Sequence, residues 1–224
     1  MTTVYLVRHG ETNGNLEQRF QGTKDYPLNA QGSRQGELLG SALREYPIDI
    51  IYTSPLSRAY ETARLVAKHH PGVKVIPQKG LEEIHAGVIE GEKLADLPVK
   101  YPEVFQKMLG SPVDLAYPGG ENTRQVYDRV AKTMEDIVAQ DKNKTIVVVS
   151  HGFAIQTYLH YASGKPFKEM QRYIVTNTSI TKFVYGEDLA PQLIYADKHD
   201  HLSQADFISW DLGEAEKNRK TQEQ

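Results

Sequence analysis

One short run, Thr145-Ile-Val-Val-Val-Ser150, limits the architecture of this chain more than any other feature. It is too short for a helix with its own packing face, it is dense in β-branched side chains, and it ends at a polar His151-Gly152 turn. It therefore reads as a strand buried on both faces. A strand with no polar face belongs inside a sheet covered above and below, and for parallel strands the covering layers are helices.

Other segments supply the partners. Thr3 to Val7 and Ile48 to Thr53 are further apolar runs, Val73 to Pro77 is a shorter one, and late strands are expected at Ser179–Tyr185 and Gln192–Ala196. Between them lie stretches with helical spacing. Ala30 to Tyr46 carries Leu38, Leu39, Ala42 and Leu43 on one stripe and is stopped by Pro47. A second helix is expected from Ser54 as cap, with Pro55 at its first position, to about His70. A third runs from about Glu121 to Gln140, and a fourth from Gly152 to about Ser163. Leu81 to Gly91 reads as a loop, and Ala95 to Leu109 as short helices broken by Pro98 and Pro102. The alternation predicts an α/β three-layer sandwich: a mostly parallel central sheet with helices on both faces and right-handed crossovers. The expected organisation is one domain over 1–213, with a lid insertion at about 91–121 and a polar C-terminal tail at 214–224.

Composition narrows the function. With 224 residues, 39% of them hydrophobic, the chain can bury a large core without a metal or disulfide staple. It has no cysteine, which excludes disulfide scaffolds, thiol nucleophiles and Cys-ligated metal sites. With 26 basic against 29 acidic side chains there is no basic field, so neither nucleic acid nor an anionic membrane is expected as a partner. The N-terminal apolar run stops at Arg8, too short for a signal peptide, and no run is long enough to span a bilayer. The expectation is a cytoplasmic protein. A homodimer paired through a late strand stays open.

Parallel sheets bind ligands beyond the carboxyl ends of their strands. Arg8-His9-Gly10-Glu11-Thr12 follows the first strand, Ser54-Pro55-Leu56-Ser57-Arg58 the second, and His151-Gly152 the valine-rich one. Two His-Gly turns and two arginines thus converge on one edge. Glycine lets a ligand approach the backbone, the arginine fork matches phosphate, and imidazole can serve as nucleophile, acid or donor. Lone histidines are more often structural, which is the reading for His69, His70 and His160. His199-Asp200-His201, with Asp197 nearby, has the spacing of a metal pair but reads better as a polar turn, so no metal site is assigned.

In order along the chain, these blocks resemble the histidine phosphatase superfamily, the phosphoglycerate-mutase-like proteins. The resemblance rests on Leu6 to Thr12 with Asn15, on Phe20-Gln21-Gly22, and on Pro27-Leu28-Asn29-Ala30-Gln31-Gly32. It continues through Ser54 to Ala59 with Glu61-Thr62-Ala63, Leu81 to Gly87 with Glu90-Gly91, Ser150-His151-Gly152 and Asn177-Thr178-Ser179. It implies that His9 takes the phosphoryl group as nucleophile, while Arg8, Arg58 and a protonated His151 hold its non-bridging oxygens. Asn15 would be a further donor, with Gln21, Gly22 and Gly152 completing the phosphate site. Glu83 would be the acid that protonates the leaving alcohol and then the base that activates water. It is preferred over Glu82 because it stands four residues before Gly87, as in the family loop. The resemblance implies a small phosphorylated metabolite as substrate and no cofactor. His9 must attack as the neutral base, so its second ring nitrogen should donate to a carbonyl near Gly10 or Glu11.

Mutases of this family carry a long basic insertion between the acid loop and the helix before the last His-Gly. Here Gly91 to Glu121 is short and lacks that stretch. The resemblance therefore favours a metal-independent phosphomonoesterase acting through phosphohistidine over a cofactor-dependent phosphoglycerate mutase. A non-catalytic phosphate-binding module is disfavoured because every expected catalytic residue is present. Two departures from the family pattern stand out. Asn122 replaces the usual serine before the long helix and can still cap it, and Ala86 stands where a larger residue is common, predicting a roomier pocket. Lys93, Tyr101, Tyr117 and Arg124 fall in the expected lid as candidate readers of a second anionic or polar group, although each reads better as a plain surface residue.

Overall fold

Alternate side chains of the central strands enter two separate apolar clusters, and that alternation makes the molecule three layers deep. The structure is a computed structural model that describes residues 1–206, so the tail expected at 214–224 lies outside the described residues. Its strands are β1 (Thr2–Arg8), β2 (Ile50–Thr53), β3 (Lys74–Pro77), β4 (Thr145–Ser150), β5 (Ile180–Tyr185) and β6 (Pro191–Lys198). They form one sheet in the order β3-β2-β4-β1-β5-β6. β3, β2, β4 and β1 pair in parallel, whereas β5 runs antiparallel to both of its neighbours.

The helices are α1 (Asn13–Leu16), α2 (Ala30–Leu43), α3 (Ser57–Ala67), α4 (Leu97–Lys100), α5 (Pro102–Leu109), α6 (Thr123–Gln140) and α7 (Gly152–Ala162). Tyr5, Val7, Ile51, Val147 and Val149 pack with Leu39 and Leu43 of α2 and Ala59, Ala63 and Val66 of α3. From the opposite face Leu6, Tyr52, Ile146 and Val148 meet Val126, Val130 and Met134 of α6 and Ile155 and Tyr158 of α7. Ile146 to Val149 are fully buried, each such side chain worth roughly 1.5–3 kcal/mol. A one-residue slip of β4 would exchange its two faces and misfit both clusters.

Within the expected lid segment Leu94, Leu97, Val104, Phe105, Met108, Leu115 and Tyr117 are buried in the larger cluster, so this stretch is packed into the core of one layer. No helix among the described residues is long and apolar enough to cross a membrane.

The second helix starts later than the sequence suggested. α3 begins at Ser57, and its N-cap residue, Leu56, offers no side-chain hydrogen bond. Asp25 does this from outside, accepting from the Ser57 amide at 3.0 Å and its hydroxyl at 2.6 Å. Ser54 is thereby released from capping and turns towards the end of β4. Asn122 does cap α6, in a reciprocal box with Gln125.

Candidate active site

Strand register places the first group of site residues. Arg8 stands opposite Ser150 in the β1–β4 ladder, and Thr53 opposite Val149 in β2–β4. His9, Ser54 and His151 therefore leave three adjacent parallel strands at one level. The rings of His9 and His151 lie 5.1 Å apart, centroid to centroid. Both are buried, His9 at 3% exposure and His151 at 0%.

His9 Nδ1 lies 2.6 Å from the Gly10 carbonyl oxygen. A carbonyl only accepts, so Nδ1 carries the hydrogen and Nε2 is left with its lone pair. Burial, reinforced by the Arg58 and Arg8 cations, pushes the His9 pKa well below the usual histidine range. The ring is thus a neutral base with its free nitrogen at the site. Its backbone is held from the far side: the Thr178 amide donates to Arg8 O at 3.0 Å and Asn177 Nδ2 to His9 O at 2.9 Å. Thr178 makes that bond at φ 56°, a left-handed conformation rare for a β-branched residue. Such backbone costs about 1–3 kcal/mol and concentrates at functional sites.

Arg58 is buried, Arg8 is half-buried, and neither has a direct carboxylate partner among the described residues. Arg8 Nη1 donates to Val175 O at 2.6 Å. Arg58, 1% exposed, donates to Gly22 O at 2.8 Å and Lys24 O at 3.1 Å. Neither forms an ion pair with a carboxylate among the described residues, and the Nε of each is buried without a partner. Burial lowers the Arg58 pKa to about 10, with Glu83 and Asp25 opposing the shift. A buried guanidinium answered only by carbonyls calls for an anion.

His151 departs from the sequence expectation. Burial and the neighbouring cations push its pKa well below the usual range, so in the free site it is neutral rather than protonated. Its Nε2 lies 2.7 Å from Ser54 Oγ, and its Nδ1 is buried without a partner.

Glu83 closes the site over the start of α7. Oε1 accepts from the Ile84 and Ala154 amides, and Oε2 from the Phe153 amide at 3.0 Å. Oε2 accepts one bond where Oε1 accepts two, so Oε2 has the spare capacity. A Cβ on Gly152 would lie 3.6 Å from Arg8 Nε and 3.9 Å from Glu83 Oε2, so glycine leaves open the space between them. Arg129 of α6 fixes this loop, donating to the Gly80, Glu82 and Glu83 carbonyls while pairing with Glu121. Glu82 is held through its backbone and does not line the cavity; Glu83 does.

Asn15 and Gln21 also line the cavity. The Asn15 carboxamide oxygen accepts from the Thr12 amide at 3.1 Å, leaving its NH₂ group as a donor, and Gln21 Oε1 accepts from Thr12 Oγ1 at 2.9 Å. Gly22 has φ 55°, and a side chain there would collide with the Glu90 carboxylate. That carboxylate accepts from Thr23 and from the Ala86 amide, joining the Gln21–Thr23 turn to the acid loop.

Several expectations are corrected. Gly10 is needed for packing rather than for ligand access, because a Cβ there would strike the Gly32 carbonyl. Ala86 is fully buried and does not widen the pocket. Of the four candidate lid readers only Tyr117 reaches the cavity. Lys93 bridges to Arg19, Tyr101 donates to Val88 O, and Arg124 pairs with Asp128. His199 lies 2.6 Å from Asp197 O and His201 3.3 Å from Thr178 Oγ1, so the two imidazoles have different partners.

The cavity measures about 520 Å³, well above what a phosphate group needs. Its far wall includes Met108, Phe153, Gln156 and the stretch Arg172 to Thr176. The sequence offered no motif for that stretch. Ser54 and Arg129 were also missed, Ser54 because it mimics a cap and Arg129 because it acts on loops remote in sequence.

The sequence model of the histidine phosphatase superfamily (branch 1) matches residues 4–196. Phosphoserine phosphatase 1 of Hydrogenobacter thermophilus is 36% identical over 151 residues, covering 67% of this chain and 71% of that protein. Phosphoglycerate mutase-like protein 4 of Arabidopsis thaliana is 29% identical over 213 residues, covering 94% of this chain and 91% of that protein. Among solved structures, YhfR of Bacillus stearothermophilus superposes with a TM-score of 0.85 at 28% identity, over 91% of this chain and all of that one.

Proposed function

Because the chain belongs to the histidine phosphatase superfamily, we propose that it hydrolyses phosphomonoesters of small metabolites through a phosphohistidine at His9, using neither metal nor cofactor. The observation that carries this reading is a neutral imidazole with Nε2 free, flanked by buried Arg58 and half-buried Arg8, each with an unpartnered Nε and no ion pair among the described residues.

In the first step His9 Nε2 attacks phosphorus as the ester P–O bond breaks, and the electron pair of that bond leaves with the alcohol oxygen. The Glu83 carboxyl, protonated at Oε2, delivers its proton to that oxygen. In the second step the Glu83 carboxylate takes a proton from water as the water oxygen bonds to phosphorus. The P–N bond then breaks, returning neutral His9 and inorganic phosphate. Throughout, the hydrogen stays on Nδ1, donated to the Gly10 carbonyl, and holds the ring in one tautomer. Arg8 and Arg58 compensate the equatorial oxygens, and the His151 Nδ1 hydrogen, the Asn15 amide and the open face at Gly152 complete the cradle. Phosphoryl transfer asks the protein mainly for positioning and charge compensation, and fixed cations supply both.

A cytoplasmic location belongs to the same reading. So does a homodimer paired through β6, which lies at the sheet edge with Leu193 and Ile194 exposed.

The test is phosphate release from a panel of phosphomonoesters in EDTA, with His9→Ala as control. Release that survives chelation and vanishes in the variant supports the reading. Conversion of 3-phosphoglycerate to 2-phosphoglycerate without net phosphate release would replace it with a mutase, and silence throughout would leave a binding module.

A further inference from the structure

Beyond the residues of the phosphate site, the cavity wall holds hydrogen-bond donors that no protein group among the described residues satisfies. Arg172 lines it, and its Nη2 donates to the Met108 and Gly110 carbonyls. Its Nη1 and Nε have no partner among the described residues, and no carboxylate there pairs with it. Gln156 Oε1 accepts from the Tyr173 amide at 3.3 Å, which fixes the amide orientation and leaves the NH₂ group unpartnered. The Tyr117 hydroxyl makes no hydrogen bond among the described residues. It sits within the field of both Glu83 and Arg172, so Arg172 is one tyrosine away from the leaving-group acid. Burial pushes the Tyr117 phenol upward, so it remains a donor.

Glu83 is the only acidic side chain among the described residues that line the cavity. Leu115 and Phe153 also line the cavity, while Arg172 is solvent-exposed at its edge. Charge decides which anion fits. The phosphate site sets two arginines against a dianion, and Arg19, which also lines the cavity, is answered by Glu17; Arg172 then adds one guanidinium to two neutral donors, the complement of a single negative charge. A planar carboxylate matches the free guanidinium edge, whereas a second phosphate would leave charge uncompensated.

We propose that Arg172, with the Gln156 amide and the Tyr117 hydroxyl, binds a carboxylate carried by the leaving group, so that the enzyme selects carboxylate-bearing phosphomonoesters. The proposal rests on the phosphomonoesterase reading above and adds a specificity determinant to it.

The test compares kcat and KM on two matched pairs, O-phosphoserine with O-phosphoethanolamine and 3-phosphoglycerate with glycerol 3-phosphate. p-Nitrophenyl phosphate serves as the reporter of phosphatase chemistry itself. The unaltered enzyme should prefer the carboxylate member of at least one pair. Arg172→Gln should raise KM for that ester roughly 10- to 100-fold, the range for loss of a charged hydrogen bond, while the carboxylate-free esters change less than about twofold. Arg172→Lys, which keeps the charge, should recover part of the preference. Hydrolysis of p-nitrophenyl phosphate without preference in either pair overturns the carboxylate site and leaves the phosphatase standing. Equal losses on all esters in Arg172→Gln would make Arg172 only a tether for Met108 and Gly110, which also overturns it. No hydrolysis of any ester removes the phosphatase reading, and this proposal with it.

Discussion

The phosphate site is assembled where adjacent parallel strands stop, whereas the rest of the cavity is walled by two helix segments and an irregular stretch between α7 and β5. At the first, ladder register sets the positions of Arg8, His9, Ser54 and His151, and carbonyl bonds pin the arginines. Around the rest of the cavity, the wall comes from the end of α5, the start of α7 and the stretch Arg172–Thr176, whose Val175 carbonyl also holds Arg8 and where Ile174 is 81% exposed. Chemistry that needs fixed geometry is held by the sheet. Selection among leaving groups is assigned to backbone that can change without disturbing the sheet.

The largest effect that would sharpen this contrast is the loss of one phosphate-end cation. Arg58→Gln should lower kcat by about 10²–10³, the range for removing one donor aimed at developing charge. The loss should be the same within a few-fold for p-nitrophenyl phosphate and for each metabolite ester. A loss that follows the leaving group would mean that the two ends are one site. Removing that cation should also raise the His9 pKa, since Arg58 is one of the charges holding it down. Titrating the ring by NMR in both proteins checks the direction.

The same contrast explains what could be read from the sequence. β4 was legible because five successive residues bury both faces, and β1 and β2 because their apolar runs end in polar turns. Once the sheet was parallel, the residues at the strand ends followed. Arg58, just past the second strand, was picked out with them, whereas Glu83 lies off the strands and only the resemblance to the family picked it out. Arg172 carries no local signal: nothing in Gln171-Arg172-Tyr173 shows that the guanidinium meets the end of α5 about sixty positions earlier. Ser54 was misread because Ser-Pro before an amphipathic segment is a helix-start pattern, and only the fold shows Asp25 supplying the α3 amide instead.

Stability should expose the phosphate end as well. The folded protein holds His9 and His151 neutral well below their usual range, and His201 down to about 4. The unfolded chain protonates its histidines near pH 6.5. Below that value the unfolded state binds more protons, so stability should fall as pH drops from about 6.5 towards 4. Inorganic phosphate should act in the opposite sense at pH 7, adding about 2.7 kcal/mol at a hundredfold excess over Kd. Urea unfolding at pH 7, 5.5 and 4.5, with and without phosphate, measures both. Stability that is flat across this window would contradict neutral buried imidazoles.

The smallest effect concerns a proton. The Leu56 amide donates to Ser54 Oγ at 3.3 Å, so the Ser54 hydroxyl hydrogen is available for His151 Nε2. In the proposed mechanism the hydroxyl donates to Nε2, which places the imidazole's own hydrogen on Nδ1, the nitrogen that lacks any protein partner. Ser54 is thus a positioning residue, acting on the phosphoryl group through His151. Ser54→Ala should cost about 1 kcal/mol, roughly five- to tenfold in kcat, equally for all esters and with little change in KM. A looser fold would give the same deficit at every pH. Loss of a tautomer would not, because a doubly protonated His151 has a hydrogen on Nδ1 whether or not Ser54 is present. The deficit of Ser54→Ala relative to the unaltered enzyme should therefore shrink as the pH is lowered. A deficit independent of pH would show that Ser54 supports the strand end rather than the proton.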